Sequence, residues 1–172
     1  MCGLVGVGCT KHEPPAPPAA PGPRKPRVDV IVWLDPRGEV PGDAATSVTL
    51  ATDAPPETRQ MLERGGLHLA ILGLPEGADA GAFLEKAVPE AEAAGSNATI
   101  VVSTGCLADL APVLQKNVAP FWTVALVVGA GCGGKVKAAI GAAALVEAGQ
   151  ASRVRITFDR HTRAFLKVEP IR

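Results

Sequence analysis

The stretch "ATIVVSTGCLADLAPVLQKNVAPFWTVALVVGAGC", residues 98–132, decides the fold class of this 172-residue chain. Two continuous apolar runs flank a segment in which apolar residues recur at helical spacing. Strands that are apolar throughout are typical of parallel sheets covered on both faces, and parallel neighbours are joined by a crossover helix. The stretch therefore predicts a β-strand, a helix and a second β-strand parallel to the first.

The two predicted strands end alike. "IVVSTGC", residues 100–106, and "LVVGAGC", residues 126–132, each contain Val-Val and finish on Gly-Cys. Because neighbouring parallel strands lie about 4.8 Å apart, their terminal cysteines fall within the Cα spacing of a disulfide. For an exported protein we predict a Cys106–Cys132 bond. Two free thiols, or metal ligands completed by His161, are the alternatives.

The pattern on either side of this unit extends the same alternation of strands and helices. Helical stripes are predicted in the segments that begin at Asp79, Leu107 and Gly134, and a short helix is predicted after Asp53, ending at Gly65-Gly66. Further strands are expected at 28–35, 46–53 and 67–74, and "RVRITFD" with "AFLKVEP" forms a closing antiparallel hairpin.

These elements together predict an α/β fold: a three-layer sandwich with a mostly parallel sheet of about six strands and a C-terminal antiparallel hairpin.

The composition limits the classes of partner. Hydrophobic residues make up 47%, the formal net charge is zero, and aromatic residues are only 3%, with no Tyr. Binding to nucleic acid generally needs a basic surface, and binding to single strands also needs aromatic stacking platforms. We therefore expect no nucleic-acid partner.

The first residues differ in character from the rest of the chain. "VGVGCT" is followed by a spacer rich in Pro, Ala and Gly, which buries too little surface to offset the entropy of ordering it. This arrangement resembles the cleavage region of bacterial lipoproteins, in which small residues precede a cysteine that becomes the lipidated N-terminus. The resemblance implies that Cys9 carries the lipid. We expect residues 1–27 to be a signal remnant and disordered tether, and residues 28–172 to form a single α/β domain.

The tether is basic, since it carries Lys11, Arg24, Lys25 and Arg27 against Glu13. Such a segment favours an anionic membrane surface. The lipoprotein resemblance implies a protein held to a membrane through Cys9, in the cell envelope on its periplasmic side. Without a signal the expected location is the cytoplasm.

A second motif lies at the end of the later strand. "GAGCGG", residues 129–134, satisfies G-x-G-x-x-G, follows a predicted strand and precedes a predicted helix. Residues 124–159 thereby resemble the first βαβ unit of flavin- and NAD-dependent oxidoreductases. The resemblance implies a phosphate turn formed by Gly129, Gly131 and Gly134, with Asp159 on the ribose hydroxyls.

The same glycines have two other interpretations. With Lys135 they resemble a P-loop, although Val136 occupies the position of the Ser or Thr that reaches magnesium. Gly-Ala-Gly followed by Gly-Gly is also a common tight connection between a strand and a closely packed helix. The short remainder of the chain after this turn favours the structural interpretation.

The sequence contains no complete catalytic constellation. Three predicted strands end on an aspartate: Asp35, Asp53 and Asp159. Carboxylates that take part in metal or phosphoryl chemistry are often found at such positions. Each of the three can also be explained by itself as a helix cap or a turn residue. Accordingly, we expect a non-catalytic envelope-associated protein without a cofactor, whose α/β domain binds a protein or cell-envelope partner. The alternative is a Rossmann-like site for a nucleotide or small anion at residues 129–134.

Overall fold

The computed structural model describes residues 26–35, 45–57, 59–74, 79–133 and 138–171. Ten strands and two helices follow one another along these ranges: β1 (Arg27–Leu34), β2 (Ser47–Leu50), β3 (Gln60–Arg64), β4 (Leu67–Leu74), α1 (Ala80–Ala93), β5 (Ala98–Cys106), α2 (Leu107–Asn117), β6 (Val124–Ala130), β7 (Ala139–Ile140), β8 (Ala143–Glu147), β9 (Arg153–Asp159) and β10 (Phe165–Ile171). Residues 1–25 of the proposed tether, with Cys9, lie outside the described residues, and its last residue, Arg27, already belongs to β1. None of the helices in the described ranges has the length and hydropathy needed to cross a bilayer.

Six strands form the central sheet, in the order β3-β4-β5-β6-β8-β7. The four inner strands are parallel, and the two edge strands, β3 and β7, run antiparallel to their neighbours. The inner strands are buried along nearly their whole length, which is why their sequences are continuously apolar. The predicted mostly parallel six-stranded sheet is confirmed.

Both helices lie on one face of the central sheet. Helix α1 begins after Asp79, whose Oδ1 accepts hydrogen bonds from the backbone N of Gly81 and Ala82. The buried side chains of the two helices pack with the sheet residues that point toward them, including Val101 and Val127. The stripes predicted at helical spacing are therefore the faces that the helices bury.

Four strands form a second sheet, in the order β10-β9-β1-β2. Strand β1 pairs parallel with β2 and antiparallel with β9, and β9 and β10 form the predicted C-terminal hairpin. In β1 every second residue from Val30 to Leu34 is buried, and these side chains pack against the face of the central sheet opposite the helices. The three layers are the helices, the central sheet and the second sheet.

Two predicted helices are wrong, because the described parts of both segments contain strands and no helix. The segment after Asp53 leads into β3, which pairs with β4 through a turn at Gly65-Gly66. Both glycines have positive φ, 59° and 75°, as the two central residues of a type I′ hairpin turn require. A pair of glycines between two strand-forming segments is therefore a hairpin signal, and Gly65-Gly66 does not end a helix.

The helix predicted from Gly134 to Ala148 is also wrong over its described residues, 138–148. Residues 138–148 instead contain the β7–β8 hairpin, which turns at Gly141-Ala142. Strand β8 pairs with β6 over residues 144–147 and is largely buried there. The alanine-rich sequence favours a helix locally, but the small side chains also fit a buried strand, and pairing with β6 decides the outcome.

Candidate functional site

The carboxyl ends of the parallel strands gather at one edge of the molecule. The inner strands of the central sheet all run in the same direction, and the end of β1 lies at the same edge. Leu34 at the end of β1 donates its backbone N–H to the O of Ser152, in the short connection that follows β8. In open α/β sheets this edge is where ligands usually bind. A ligand-binding site is therefore expected at this edge.

A disulfide joins two neighbouring strands at this edge. Cys106 is the last residue of β5 and the N-cap of α2, and Cys132 follows β6 by two residues. Their Cα atoms are 5.6 Å apart and their sulfur atoms are bonded. The predicted bond is confirmed. The two cysteines are therefore not free thiols. They are not joined by His161 in a metal site either, because His161 lies in the turn between β9 and β10.

Two glycines of the "GAGCGG" motif are required for close packing. A Cβ on Gly129 would lie 2.5 Å from Leu107 Cγ, at the start of α2, and 3.0 Å from the backbone O of Gly105. A Cβ on Gly131 would lie 2.4 Å from the backbone O of Ala148. The space in front of these glycines is filled by the protein's own atoms. Gly134 lies outside the described residues.

The other parts of a dinucleotide site are not brought together around these glycines. In a dinucleotide site the phosphates are bound at the N-terminus of the helix that follows the glycine turn. Here, the described residues after Gly131 continue into the β7–β8 hairpin instead. Asp159 pairs in register with Arg27 at the start of β1, so the length of an eight-residue strand separates it from the carboxyl edge. That length is about 26 Å.

Asp159 has a local structural role. Its Oδ1 accepts hydrogen bonds of 2.9 Å from the backbone N of both His161 and Thr162, in the turn between β9 and β10. This is the turn-forming use of an Asp side chain. The structure therefore separates Asp159 from Gly129 and Gly131.

Asp35 and Asp53, in contrast, lie at the carboxyl edge. Asp35 accepts two hydrogen bonds from Thr52: from the backbone N at 2.6 Å and from Oγ1 at 2.5 Å. Its backbone is left-handed, with φ of 45°, a conformation that Asp tolerates better than most residues. The carboxylate is thus held in one orientation at the end of β1. The sequence marked Asp35 as a strand-terminal acid but gave no sign of Thr52.

Two cavities meet at Asp53. One of about 490 Å³ lies between the ends of β1 and β2, and its lining includes Asp35 and Thr49. The other, of about 420 Å³, lies toward the central sheet, and its lining includes Glu57 and Thr104. Together these cavities form a cleft at the carboxyl edge, whose walls are largely apolar and carry the hydroxyl groups and carboxylates of a few side chains. We refer to them as the Asp53 cleft.

A buried carboxylate lies farther along the same edge. Glu147, at the end of β8 and opposite Gly129, is 1% exposed. Its Oε2 accepts a hydrogen bond from Nε2 of Gln150 at 3.3 Å, and its Oε1 has no hydrogen-bond partner. Sequence reasoning missed this group because it placed Glu147 on a predicted helix.

The chemistry available at this edge is limited. Ser103 is 3% exposed, and its hydroxyl accepts a hydrogen bond from the backbone N of Gly105. Within the described ranges, no three His, Cys, Asp or Glu residues are arranged to hold a metal ion. Of the threonine hydroxyls that donate to carboxylates in those ranges, the hydroxyl of Thr52 lies at this edge, on Asp35, whereas those of Thr123 and Thr157 bind Glu92 and Asp29. The described edge offers polar and carboxylate contacts to a partner.

Comparison with known proteins assigns no family. No family model matches the chain, and no curated protein matches it. Among solved structures, the sulfate thiohydrolase SoxB of Thermus thermophilus, in complex with glycerol, superposes with a TM-score of 0.48 at 16% sequence identity. The match covers 66% of this chain and 24% of the SoxB chain, so this chain spans about a quarter of that protein's length.

Proposed function

We propose that the chain is a non-catalytic, membrane-tethered protein of the bacterial cell envelope, whose α/β domain binds a protein or cell-envelope partner. The lipid attached at Cys9 holds the domain at the membrane, and the carboxyl edge of the sheets receives the partner. The observation that carries this proposal is the Cys106–Cys132 disulfide.

The disulfide supports export because such bonds persist in oxidising compartments and are rare in the cytosol. Its position also supports a binding role. It ties the ends of the two central strands together and anchors the loop after β6 to the start of α2. A binding surface on a rigid scaffold loses less conformational entropy when the partner binds.

The Asp53 cleft is the surface we assign to the partner. It lies at the carboxyl edge and offers the oriented carboxylate of Asp35 together with exposed Asp53. The tether joins the domain at the other end of β1, about 26 Å away. The cleft is therefore directed away from the membrane to which the tether leads.

The anchor is tested by changing one cysteine at a time. In membranes washed at high salt, which releases proteins held by charge alone, the Cys9→Ser variant is expected to move from the membrane fraction to the soluble fraction, and its N-terminal peptide is expected to lose the mass of the lipid. The matched control is Cys2→Ser, which removes the other cysteine of the same segment and is expected to stay in the membrane fraction. Equal fractionation of the two variants would overturn the anchor.

The binding role is tested by a photo-crosslinking amino acid introduced at Asp53 in intact cells. We expect an adduct of discrete mass from Asp53 and none from Lys86, an exposed helix position used as the control. Adducts of equal yield at both positions, or none at Asp53, would overturn the assignment of the cleft.

A further inference from the structure

Charge is segregated between the layers of the domain. The strands of the second sheet and the turn between β9 and β10 carry six basic and three acidic residues: Arg27, Arg153, Arg155, Arg160, Arg163 and Lys167 against Asp29, Asp159 and Glu169. The helices and their first cap carry two basic and five acidic residues: Lys86 and Lys116 against Asp79, Glu85, Glu90, Glu92 and Asp109. The second-sheet layer is therefore positive and the helical layer negative.

The basic residues at one end of the second sheet are available to a partner. In the middle of the sheet Arg155 pairs with Asp29 and Lys167 pairs with Glu169. Arg27, Arg160 and Arg163 take part in none of the ion pairs found within the described residues. These three define the basic tip, formed by the start of β1 and the turn between β9 and β10.

The basic tip lies where the tether enters the domain. The backbone N of Arg160 donates to the O of Pro26, so the turn is hydrogen-bonded to the last residues of the tether. Three of the tether's own basic residues, Lys11, Arg24 and Lys25, precede this point in the sequence. Positive charge thus continues from the tether onto the folded domain.

An exposed tryptophan lies at the same end. Trp122 is 66% exposed and precedes β6, at the amino ends of the central strands. The amino ends of the two sheets coincide, since Gly65, before β4, donates its N–H to Ala45 O and faces Val28 of β1. Tryptophan is enriched at membrane–water interfaces, where its ring spans the apolar and polar regions.

From these observations we infer that the basic tip, together with Trp122, docks the domain on the headgroups of anionic phospholipids. This inference rests on the proposed function for the presence of a membrane beside the domain. The tether holds the tip next to that surface, and each Lys or Arg near an anionic leaflet strengthens binding about fivefold. An acidic protein is the competing partner for the same charges, and the experiment distinguishes the two.

The experiment uses the full chain with Cys9→Ser, so that no lipid anchor contributes to binding. Co-sedimentation is measured with phosphatidylcholine vesicles, with and without phosphatidylglycerol. We expect binding only when phosphatidylglycerol is present, and a decline with added salt. Replacing both turn arginines, as Arg160→Gln and Arg163→Asn, is expected to weaken binding about 25-fold, the product of two such steps.

The matched control is the double variant Lys86→Gln and Lys116→Gln, which removes the same charge from the helical layer. It is expected to bind as tightly as the Cys9→Ser chain. Equal weakening in both double variants, or no binding of the Cys9→Ser chain to phosphatidylglycerol vesicles, would overturn the inference, and the second result would leave the acidic protein as the partner. Lipidation of Cys9 is measured separately by mass, so failure of the anchor and failure of the docking surface are distinguishable.

Discussion

Gly129 and Leu107 are in direct contact where β6 passes beneath the start of α2. The Cβ that any other residue would place at position 129 would lie 2.5 Å from Leu107 Cγ, closer than two such atoms approach. The glycine that opens the "GAGCGG" motif is therefore fixed by the packing of a helix on the sheet.

Gly129→Ala is expected to lower the free energy of unfolding by about 1–3 kcal/mol, because the added methyl group overpacks this contact. Denaturant unfolding measures the loss. The control is Gly105→Ala in the neighbouring strand, where the nearest atom to an added Cβ is 3.4 Å away, an ordinary contact. Equal stability of the two variants would argue against a packing role for Gly129.

The same packing predicts how the protein responds to nucleotides. NAD, FAD, ATP and GTP at millimolar concentration are expected to leave the Tm unchanged. The described residues after Gly131 provide no helix N-terminus, and Asp159 lies at the opposite end of its sheet. A ligand that bound the folded state would raise the Tm by mass action. A rise with any of the four would restore the nucleotide site as a candidate.

The sequence predicted the parts of the fold that local pattern determines. β4, β5 and β6 are buried on both faces and read as continuous apolar runs. Helices α1 and α2 each bury one apolar face, and their apolar residues therefore recur in the sequence at helical spacing. The Cys106–Cys132 bond was predictable because two matched strand ends on a βαβ unit must meet at one edge.

The errors arose where pairing between distant segments decides the structure. β3 and β8 are strands because each has a partner, β4 and β6 respectively, and neither sequence shows a clear alternation. The grouping of β1 and β2 with β9 and β10 in a separate sheet depends on long-range register in the same way. Asp35 and Thr52 meet for this reason too, since parallel pairing of β1 with β2 brings their ends together.

The contact between Asp35 and Thr52 is expected to stabilise the end of β1. Thr52→Val removes the hydroxyl donor and is expected to cost about 1.5–3 kcal/mol, the usual range for a hydrogen bond to a charged group. Thr49→Val, the same change at an exposed position of β2, three residues earlier, is the control and is expected to be neutral. A cost that is equal for the two variants would show that the Asp35 carboxylate does not depend on Thr52.

The Cys106–Cys132 bond is expected to contribute roughly 3 kcal/mol to stability, since it closes a loop of moderate length in the unfolded chain. Unfolding of the oxidised and the reduced protein in the same denaturant series measures this difference. The Cys106→Ala/Cys132→Ala variant is expected to match the reduced protein and to be insensitive to reductant. If reductant still lowered the stability of that variant, the loss of stability on reduction would have to come from another part of the chain.

The central claim, an exported domain clamped by a disulfide, is tested most directly by counting thiols in the protein isolated from its own cells. Free thiols are trapped by alkylation at the moment of lysis, and the digested protein is then analysed by mass spectrometry. We predict that the peptides of Cys106 and Cys132 are recovered as one cross-linked species that separates only after reduction. Recovery of both cysteines fully alkylated without reductant would contradict the claim.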